Sequence, residues 1–589
     1  ALKALAMGVM MDVNVLLYGM LPFVLYLTLL PTKAHGTRRD RLTLDGAAFA
    51  LFTFILLFTS VSEWLFWDEF ASRFNFIAVD YLVYTHEVIG NIQESYPVNS
   101  ILALIGVIAI GLGIAHYRTK PTTQKNPPPR LSRRVMEMGF LFLLTLSSFF
   151  IMRNAFADIS ENRYLNQIAR NGFFELFSAY RHNELSYDQF YVTDNEQELA
   201  DRLRRELGIA SDHPQEGITR LITSTKPETP YNLVLITVES LSADYMKAFG
   251  NQEGLTPNLD RLAKESLFFT NLYATGTRTV YGLSALTLSI PPMPGNSIVR
   301  RPNNDGLFSL GSVLNRKGYV STFLYGGYGY FDNMNTFFAA NGYGIVDRSD
   351  LKPDEISFAN VWGVCDEDLF RRVLKENDAA FAEKKPFFQM IMTTSNHRPY
   401  TYPDNKIDIP SKTGRTGGVK YTDYAIGAFI EEARQHPWFD NTLFVIVADH
   451  TAGSAGKREL NPTGYHIPML IYAPKLITPQ KVDTLSSQID AAPTILALLN
   501  MSYDSRFYGK NMLREGDPER AFISNYQQLG YLTQDSLTIL KPVKEQVFYR
   551  KEGDQFIPTN ANPDLLKTTL SYYQNASDKW KTWNKDSPN

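Results

Sequence analysis

Asn232-Leu-Val-Leu-Ile-Thr-Val-Glu239-Ser240 is an apolar, β-branched run that ends abruptly on an acid. Thr442-Leu-Phe-Val-Ile-Val-Ala-Asp449-His450 repeats the pattern far downstream. Short continuous apolar runs of this kind fit strands buried on both faces, as in parallel sheets. In an open parallel sheet the carboxyl ends of the strands line one crevice, where ligands bind. Equivalent strand ends therefore bring Glu239, Asp449 and His450 to one point. Two carboxylates and an imidazole suit a divalent transition metal, which would act as a Lewis acid on a phosphate or sulfate ester. Taken singly, Glu239 is equally a first-turn acid of the next helix, and Asp449-His450 a capped turn.

Around these two runs the texture from Tyr231 onward alternates. Strands are expected over 232–238, 320–325, 387–393, 442–448 and 467–472, and helices over 256–266, 280–288, 308–317, 366–378, 420–435 and 489–500. Such alternation predicts an α/β domain with a mostly parallel central sheet covered by helices on both faces.

Upstream the chain is different. Four apolar stretches, at 8–30, 47–66, 99–116 and 136–152, each approach the roughly 20 residues that span a bilayer as a helix. Lys33, Arg38, Arg39 and Arg41 lie between the first two, and Arg118, Lys120, Lys125, Arg130, Arg133 and Arg134 between the last two. Both connections are therefore expected on the cytoplasmic side. The 67–98 connection carries Asp68, Glu69, Asp80, Glu87 and Glu94 against Arg73, so it and everything after Met152 are expected outside. Its aromatic residues (Phe70, Phe74, Phe76, Tyr81, Tyr84) read as an interfacial belt or as a lipid-facing platform. The chain opens on Ala1, which this orientation also puts outside, so a fifth spanning helix is expected upstream. Residues 154–230 read as a helical connector, with a helix in the Glu-rich 196–207 run and a Pro-interrupted linker at 224–230. Domains are thus expected at 1–153, 154–230 and 231–515, with a C-terminal extension over 516–589. A net charge of −3 gives no nucleic-acid signal, and the lone Cys365 excludes an intrachain disulfide.

The nucleophile candidate is Thr279, in Ala274-Thr-Gly-Thr-Arg-Thr279-Val-Tyr-Gly282, at the start of an expected helix whose N-terminus favours an anion. A threonine hydroxyl needs an adjacent base or metal coordination to act, and the metal held by Glu239, Asp449 and His450 supplies that, with Thr279 expected as a further ligand. Thr279 is alternatively a plain helix cap, a role Thr275 or Thr277 would also fill. His397, past the 387–393 strand, and His466, before the 467–472 strand, are expected to contact substrate or protonate a leaving alkoxide, or else to be structural. Lys457, after a Gly-containing loop, is either a phosphate contact or a solvated lysine. Trp362 and Asp366 either line the crevice or pack.

These residues, in this order, resemble the lipoteichoic acid synthase-like phosphoglycerol transferases of the alkaline phosphatase and sulfatase superfamily. The pattern is a strand ending in Glu239, a nucleophilic threonine (Thr279) in a Gly-Thr-rich turn, and a late Asp449-His450 pair. Thr394-Ser-Asn-His397-Arg-Pro-Tyr resembles the substrate-binding histidine segment, and Ser487-Gln-Ile-Asp-Ala-Ala-Pro-Thr the closing helix of a sulfatase-type domain. The resemblance implies an α-helical transmembrane domain followed by an extracytoplasmic sulfatase-like domain. It also implies manganese- or magnesium-dependent transfer, zinc fitting less well. Thr279 would take glycerophosphate from phosphatidylglycerol, release diacylglycerol, and pass the group to a glycan or polyglycerophosphate acceptor outside a bacterial inner membrane. In Tyr325-Gly-Gly-Tyr-Gly-Tyr-Phe-Asp-Asn333-Met334, Asn333 matches a glycerophosphate-contacting stretch, while Met334 replaces its arginine. That departure makes the chain more similar to Gram-negative members, whose acceptors include periplasmic glucans. His466 before Ile-Pro-Met is similar to a segment of the phosphoethanolamine transferases, but those carry several disulfides. A sulfatase would need a Cys/Ser-x-Pro-x-Arg motif before the Thr279 helix, and none is there. A non-enzymatic membrane protein would not need to keep Glu239, Thr279, Asp449 and His450 together.

Overall fold

A computed structural model describes residues 2–29, 38–70, 73–75, 78–79, 85–119, 131–152, 154–157, 159–160, 163–181, 185–210, 217–453 and 460–580. The chain divides into two compact units, Ala1–Asn183 and Glu184–Asn589.

The first unit contains α1 (Leu2–Leu29), α2 (Arg38–Phe70), α3 (Val98–Thr119) and α4 (Leu131–Ile151). Each holds a segment of 21 to 23 residues long and apolar enough to cross a bilayer. Leu104, Val107 and Ile110 on α3, and Phe140, Leu143 and Phe150 on α4, point outward, as lipid-facing residues do. Small residues seat α2 on α3: a Cβ on Gly113 would fall 2.7 Å from the Ala50 Cβ and 2.8 Å from the Gly46 carbonyl. Backbones approach this closely in lipid because packing, rather than hydrophobic expulsion, drives helix association there. In the aromatic connection Phe74 packs edge-on against Phe66, at 5.2 Å between centroids. Phe76, Tyr81 and Tyr84 lie outside the described residues.

The second unit is built on a nine-stranded sheet. Its strands are β1 (Asn232–Val238), β2 (Leu267–Tyr273), β3 (Val320–Tyr325), β4 (Gly344–Val346), β5 (Phe387–Met392), β6 (Thr442–Ala448), β7 (His466–Tyr472), β8 (Gln480–Val482) and β9 (Ser486–Ser487). The order is β8-β2-β7-β6-β1-β5-β3-β4, with β9 also on β2. β7 runs antiparallel to β2 and β6, and every other pairing is parallel. Every residue of β1, β5 and β6 is buried, as their unbroken apolar texture requires. The parallel register of β1 on β6 ends with Val238 opposite Ala448, so the next residues, Glu239 and Asp449, emerge level with each other.

The flanking helices fall close to their expected places. α5 (Glu196–Glu206), α6 (Thr279–Leu288), α7 (Asp366–Ala382), α8 (Arg415–Ala433) and α9 (Ala491–Leu498) are the ones used below. α5 begins at Asn195, whose side chain accepts from the Glu198 N–H, and basic residues occupy its last turn. Beyond α9 the chain forms an antiparallel meander, β10 (Ala521–Ser524), β11 (Leu529–Leu532), β12 (Ser536–Lys541), β13 (Glu545–Glu552) and β14 (Gln555–Pro558), and then α10 (Pro563–Lys579). α10 packs on α5, through Arg202 to Asp564 at 2.8 Å and Gln574 to the backbone of Asp194. Residues 185–230 thus belong to the second unit.

Candidate active site at the carboxyl edge of the sheet

Glu239 leaves β1 into a strained turn. Ser240 has φ +52°, a left-handed conformation that non-glycine residues adopt rarely and chiefly at functional sites. The strain is held by partners: the Ser240 N–H donates to Asp449 Oδ1 at 2.8 Å, and its hydroxyl to Glu239 Oε1 at 2.6 Å. The Glu239 N–H donates to the Thr393 hydroxyl just past β5, and the Asn396 amide donates to the Glu239 carbonyl. Gln488 closes the other side, donating to the carbonyls of Ala448 and Asp449 and accepting from the Thr275 N–H. The closing segment expected from the sequence therefore clamps the end of β6 to the turn that carries Thr279.

Ligand atoms of Glu239, Asp449 and His450 lie within 4.8 Å of one another, and all three residues are buried. His450 Nδ1 faces the Thr451 carbonyl at 2.8 Å. A proton there leaves the Nε2 lone pair facing Glu239 at 3.6 Å and Asp449 at 3.4 Å. Burial, then the neighbouring Glu239 charge, pushes the Asp449 carboxyl well up. Burial also pushes Glu239 up, but the His397 and His450 imidazoles and the Ser240 hydroxyl outweigh it and hold that carboxyl low. Two buried carboxylates in contact cannot both ionise comfortably without a cation between them. Asp449 Oδ2 is buried with no hydrogen-bond donor. A divalent cation fits this donor set, since it would satisfy that oxygen and both charges.

Thr279 is the first residue of α6, and its hydroxyl donates to Glu239 Oε2 at 3.2 Å. Of the three threonines in the turn, Thr275 bonds Gln488 instead and Thr277 is buried. His397 Nε2 reaches the same Glu239 Oε2 at 3.3 Å, so one carboxylate oxygen bridges the hydroxyl and the imidazole. Trp362 stacks on His397 at 4.4 Å and 17° and donates to the Arg398 carbonyl; Phe331 packs edge-on against Trp362. Trp362 is thus a platform for His397.

The other expected contacts are placed differently. His466 lies at the same sheet edge, but its Nε2 meets the Thr270 carbonyl at 2.8 Å and its ring packs on Phe249 and Tyr273. The Asn333 amide donates to the Val299 carbonyl, and Met334 is buried in the core. Asp366 is fully buried, accepting from Thr394, Ser395 and Thr422, so it packs. Lys457 lies outside the described residues. The sequence did not single out Arg278, Arg300 and Asp332, in which both guanidiniums sit 3.5 Å from one buried carboxylate beside Thr279. Nor did it single out Ser240, Asn396 and Gln488. Ser240, Arg278, Asn396 and Gln488 all lie within the quoted stretches, but Asn396 and Gln488 act through the backbone carbonyls of distant segments, which no local pattern reveals.

Gly282 lets α6 rest on the end of β6. A Cβ there would fall 2.4 Å from the Asp449 carbonyl oxygen and 2.8 Å from its Cα. Gly282→Ala must push Thr279 and Asp449 apart, and misplacement by about 1 Å costs roughly 100-fold in rate. Turnover should fall by about that factor, measured beside the melting temperature of the same preparation. Unchanged turnover would show that the helix can shift without moving the hydroxyl.

The Sulfatase family profile matches residues 231–501. A solved protein of the alkaline phosphatase superfamily from Vibrio parahaemolyticus is 33% identical, with a TM-score of 0.64 covering 68% of this chain and 99% of that one. The lipoteichoic acid synthase LtaP from Listeria monocytogenes shares the fold, at 17% identity and a TM-score of 0.53 over 66% of this chain and 99% of its own. Phosphoglycerol transferase I from Xanthomonas campestris pv. campestris is 26% identical over 320 residues, 51% of this chain and 45% of that protein, so the chain spans less than half the length of that curated relative. With its four apolar helices and its mixed, mostly parallel sheet ending in an acidic crevice, the chain belongs to the alkaline phosphatase superfamily and carries a sulfatase-family domain.

Proposed function

We propose that the protein is a membrane-bound phosphoglycerol transferase. Its catalytic unit would stand outside a bacterial inner membrane, moving glycerophosphate from phosphatidylglycerol to a glycan or glycerophosphate acceptor. The observation that carries this is the Thr279 hydroxyl on Glu239 Oε2, beside Asp449 and His450. Similarity to phosphoglycerol transferase I supports the transferred group, and the basic connections between the apolar helices support the orientation.

Glu239, Asp449 and His450 would hold manganese or magnesium, which supplies Lewis acidity and neutralises phosphate charge. Thr279 Oγ1 attacks the phosphorus of the phosphodiester, and the bond from phosphorus to the diacylglycerol oxygen breaks. The Thr279 proton leaves along its hydrogen bond to Glu239 Oε2. His397, on that same oxygen and braced by Trp362, protonates the departing alkoxide. In the return step an acceptor hydroxyl attacks the phosphorus of the glycerophospho-threonine, His397 takes its proton, and the bond from phosphorus to Thr279 Oγ1 breaks as the proton held at Glu239 Oε2 returns to the threonine.

Fluorescent phosphatidylglycerol in mixed micelles with the full chain tests this. Diacylglycerol should appear with added manganese or magnesium and stop with a chelator. Release indifferent to chelation, or faster cleavage of an aryl sulfate than of the lipid, would overturn it.

A further inference from the structure

Arg415 is a cation at the site that takes no part in the steps above. Arg415 opens α8, half-buried, with Nη1 3.5 Å from the Asn396 carbonyl and its guanidinium 5.0 Å over the Tyr400 ring. Both contacts fix it to the catalytic edge. The Asn396 amide donates to the Glu239 carbonyl at 2.9 Å, and the Tyr400 N–H donates to the His397 carbonyl at 2.7 Å. Gly418 seats α8 against the same segment, since a Cβ there would fall 3.0 Å from Asn396 Oδ1. The Arg415 charge also acts on Tyr245 and on the His450 imidazole. Arg278 and Arg300 share Asp332, and Arg520 has Asp490, but among the described residues no carboxylate pairs with Arg415.

The charge balance then points to a ligand. Glu239 and Asp449 offset a divalent cation, Arg278 and Arg300 together exceed their shared Asp332 by one charge, and Arg415 adds a positive charge with no carboxylate partner among the described residues. A phosphodiester brings one negative charge. An arginine held by a carbonyl and an aromatic face keeps its remaining N–H groups for such an anion. We propose that Arg415 binds the phosphate of the donor ester and, through its charge, selects a headgroup without an ammonium, favouring glycerol over ethanolamine. The headgroup preference rests on the phospholipid-donor function proposed above; the anion contact does not.

Two measurements on the full chain separate these points. Titration calorimetry of the manganese-loaded protein with inorganic phosphate should show Arg415→Gln weakening binding by about 10- to 100-fold, the range for one charge-assisted hydrogen bond, with Arg415→Lys between. Vesicles of phosphatidylglycerol or phosphatidylethanolamine then give the ratio of kcat/KM for the two donors. That ratio should shrink by at least about tenfold in Arg415→Gln and shrink further in Arg415→Glu. Unchanged phosphate affinity in Arg415→Gln, at unchanged melting temperature, overturns the anion contact. An equal loss for both lipids overturns the selection. If the wild type cleaves neither lipid while Arg415→Gln still weakens phosphate binding, the phospholipid donor falls, the headgroup selection with it, and the anion site stands.

Discussion

Thr279→Ala is expected to abolish diacylglycerol release, lowering turnover by about 10,000-fold or more, the scale on which removal of a covalent nucleophile acts. The side chain is well suited to the test, because its removal should do little else. Thr279 is the first residue of α6, with Arg278 in the capping position, and its hydroxyl donates to Glu239 Oε2 and also acts on the Asp449 carboxyl. The neighbours that shape the crevice do not depend on it. Ser240 still bridges Glu239 and Asp449, and Gln488 still holds the Asp449 carbonyl. The variant should therefore melt within a few degrees of the parent and still bind manganese. Thr279→Ser keeps the oxygen and should retain measurable turnover. It should also carry the glycerophosphate adduct in an intact-mass measurement when acceptor is withheld. Substantial release from Thr279→Ala would mean that water or another group attacks phosphorus directly.

Arg520→Met is expected to cost about 3–5 kcal/mol, the scale for stranding one partner of a buried ion pair. Arg520 and Asp490 meet in two bonds, at 2.6 and 2.9 Å, and both are buried. Asp490 also accepts from the N–H groups of Ser487 and Lys510, while the Arg520 guanidinium lies 4.9 Å over Phe522 and 5.8 Å over Tyr572. The pair therefore ties three elements together: α9, the first strand of the C-terminal meander and α10. Removing the cation alone leaves a buried carboxylate without its counter-charge. Chemical denaturation of the full chain in detergent should show the midpoint fall. Replacing both partners with apolar residues should recover part of the loss, because two charges no longer need to be desolvated. A midpoint within about 0.5 kcal/mol of the parent would show that water reaches Asp490. Gln488 lies two residues before Asp490 and holds the Asp449 carbonyl, so turnover should decline along with stability.

Much of this was legible in the sequence, for identifiable reasons. β1 and β6 are unbroken apolar runs ending in acids, so both their burial and the level of Glu239 with Asp449 follow from strand pairing alone. α7 and α8 announce themselves by length and periodicity. β2, Leu267–Tyr273, was not assigned from the sequence, although it is central to the antiparallel part of the sheet. Thr270 and Asn271 interrupt its apolar run, and its partners β7 and β8 lie some two hundred residues on. The C-terminal meander stayed hidden because no residue of β13 or β14 is buried and β13, Glu545–Glu552, is half charged. At the site, residue types that do chemistry were readable, while those that only hold them were not. Asn396, Gln488 and Arg415 act through backbone carbonyls or an aromatic face supplied by distant segments. His466 shows the converse: a histidine beside a strand looks chemical until its ring nitrogen is found on a carbonyl.

The bond from Ser240 to Asp449 joins residues 209 positions apart. A ribosome makes them in order, so for a long interval the emerging polypeptide holds Glu239 and Thr279 but neither Asp449 nor His450. During that interval no ion can be gripped and the hydroxyl is inert. On the function proposed above, an enzyme made beside the lipids it consumes is in this way kept inert until synthesis has passed His450.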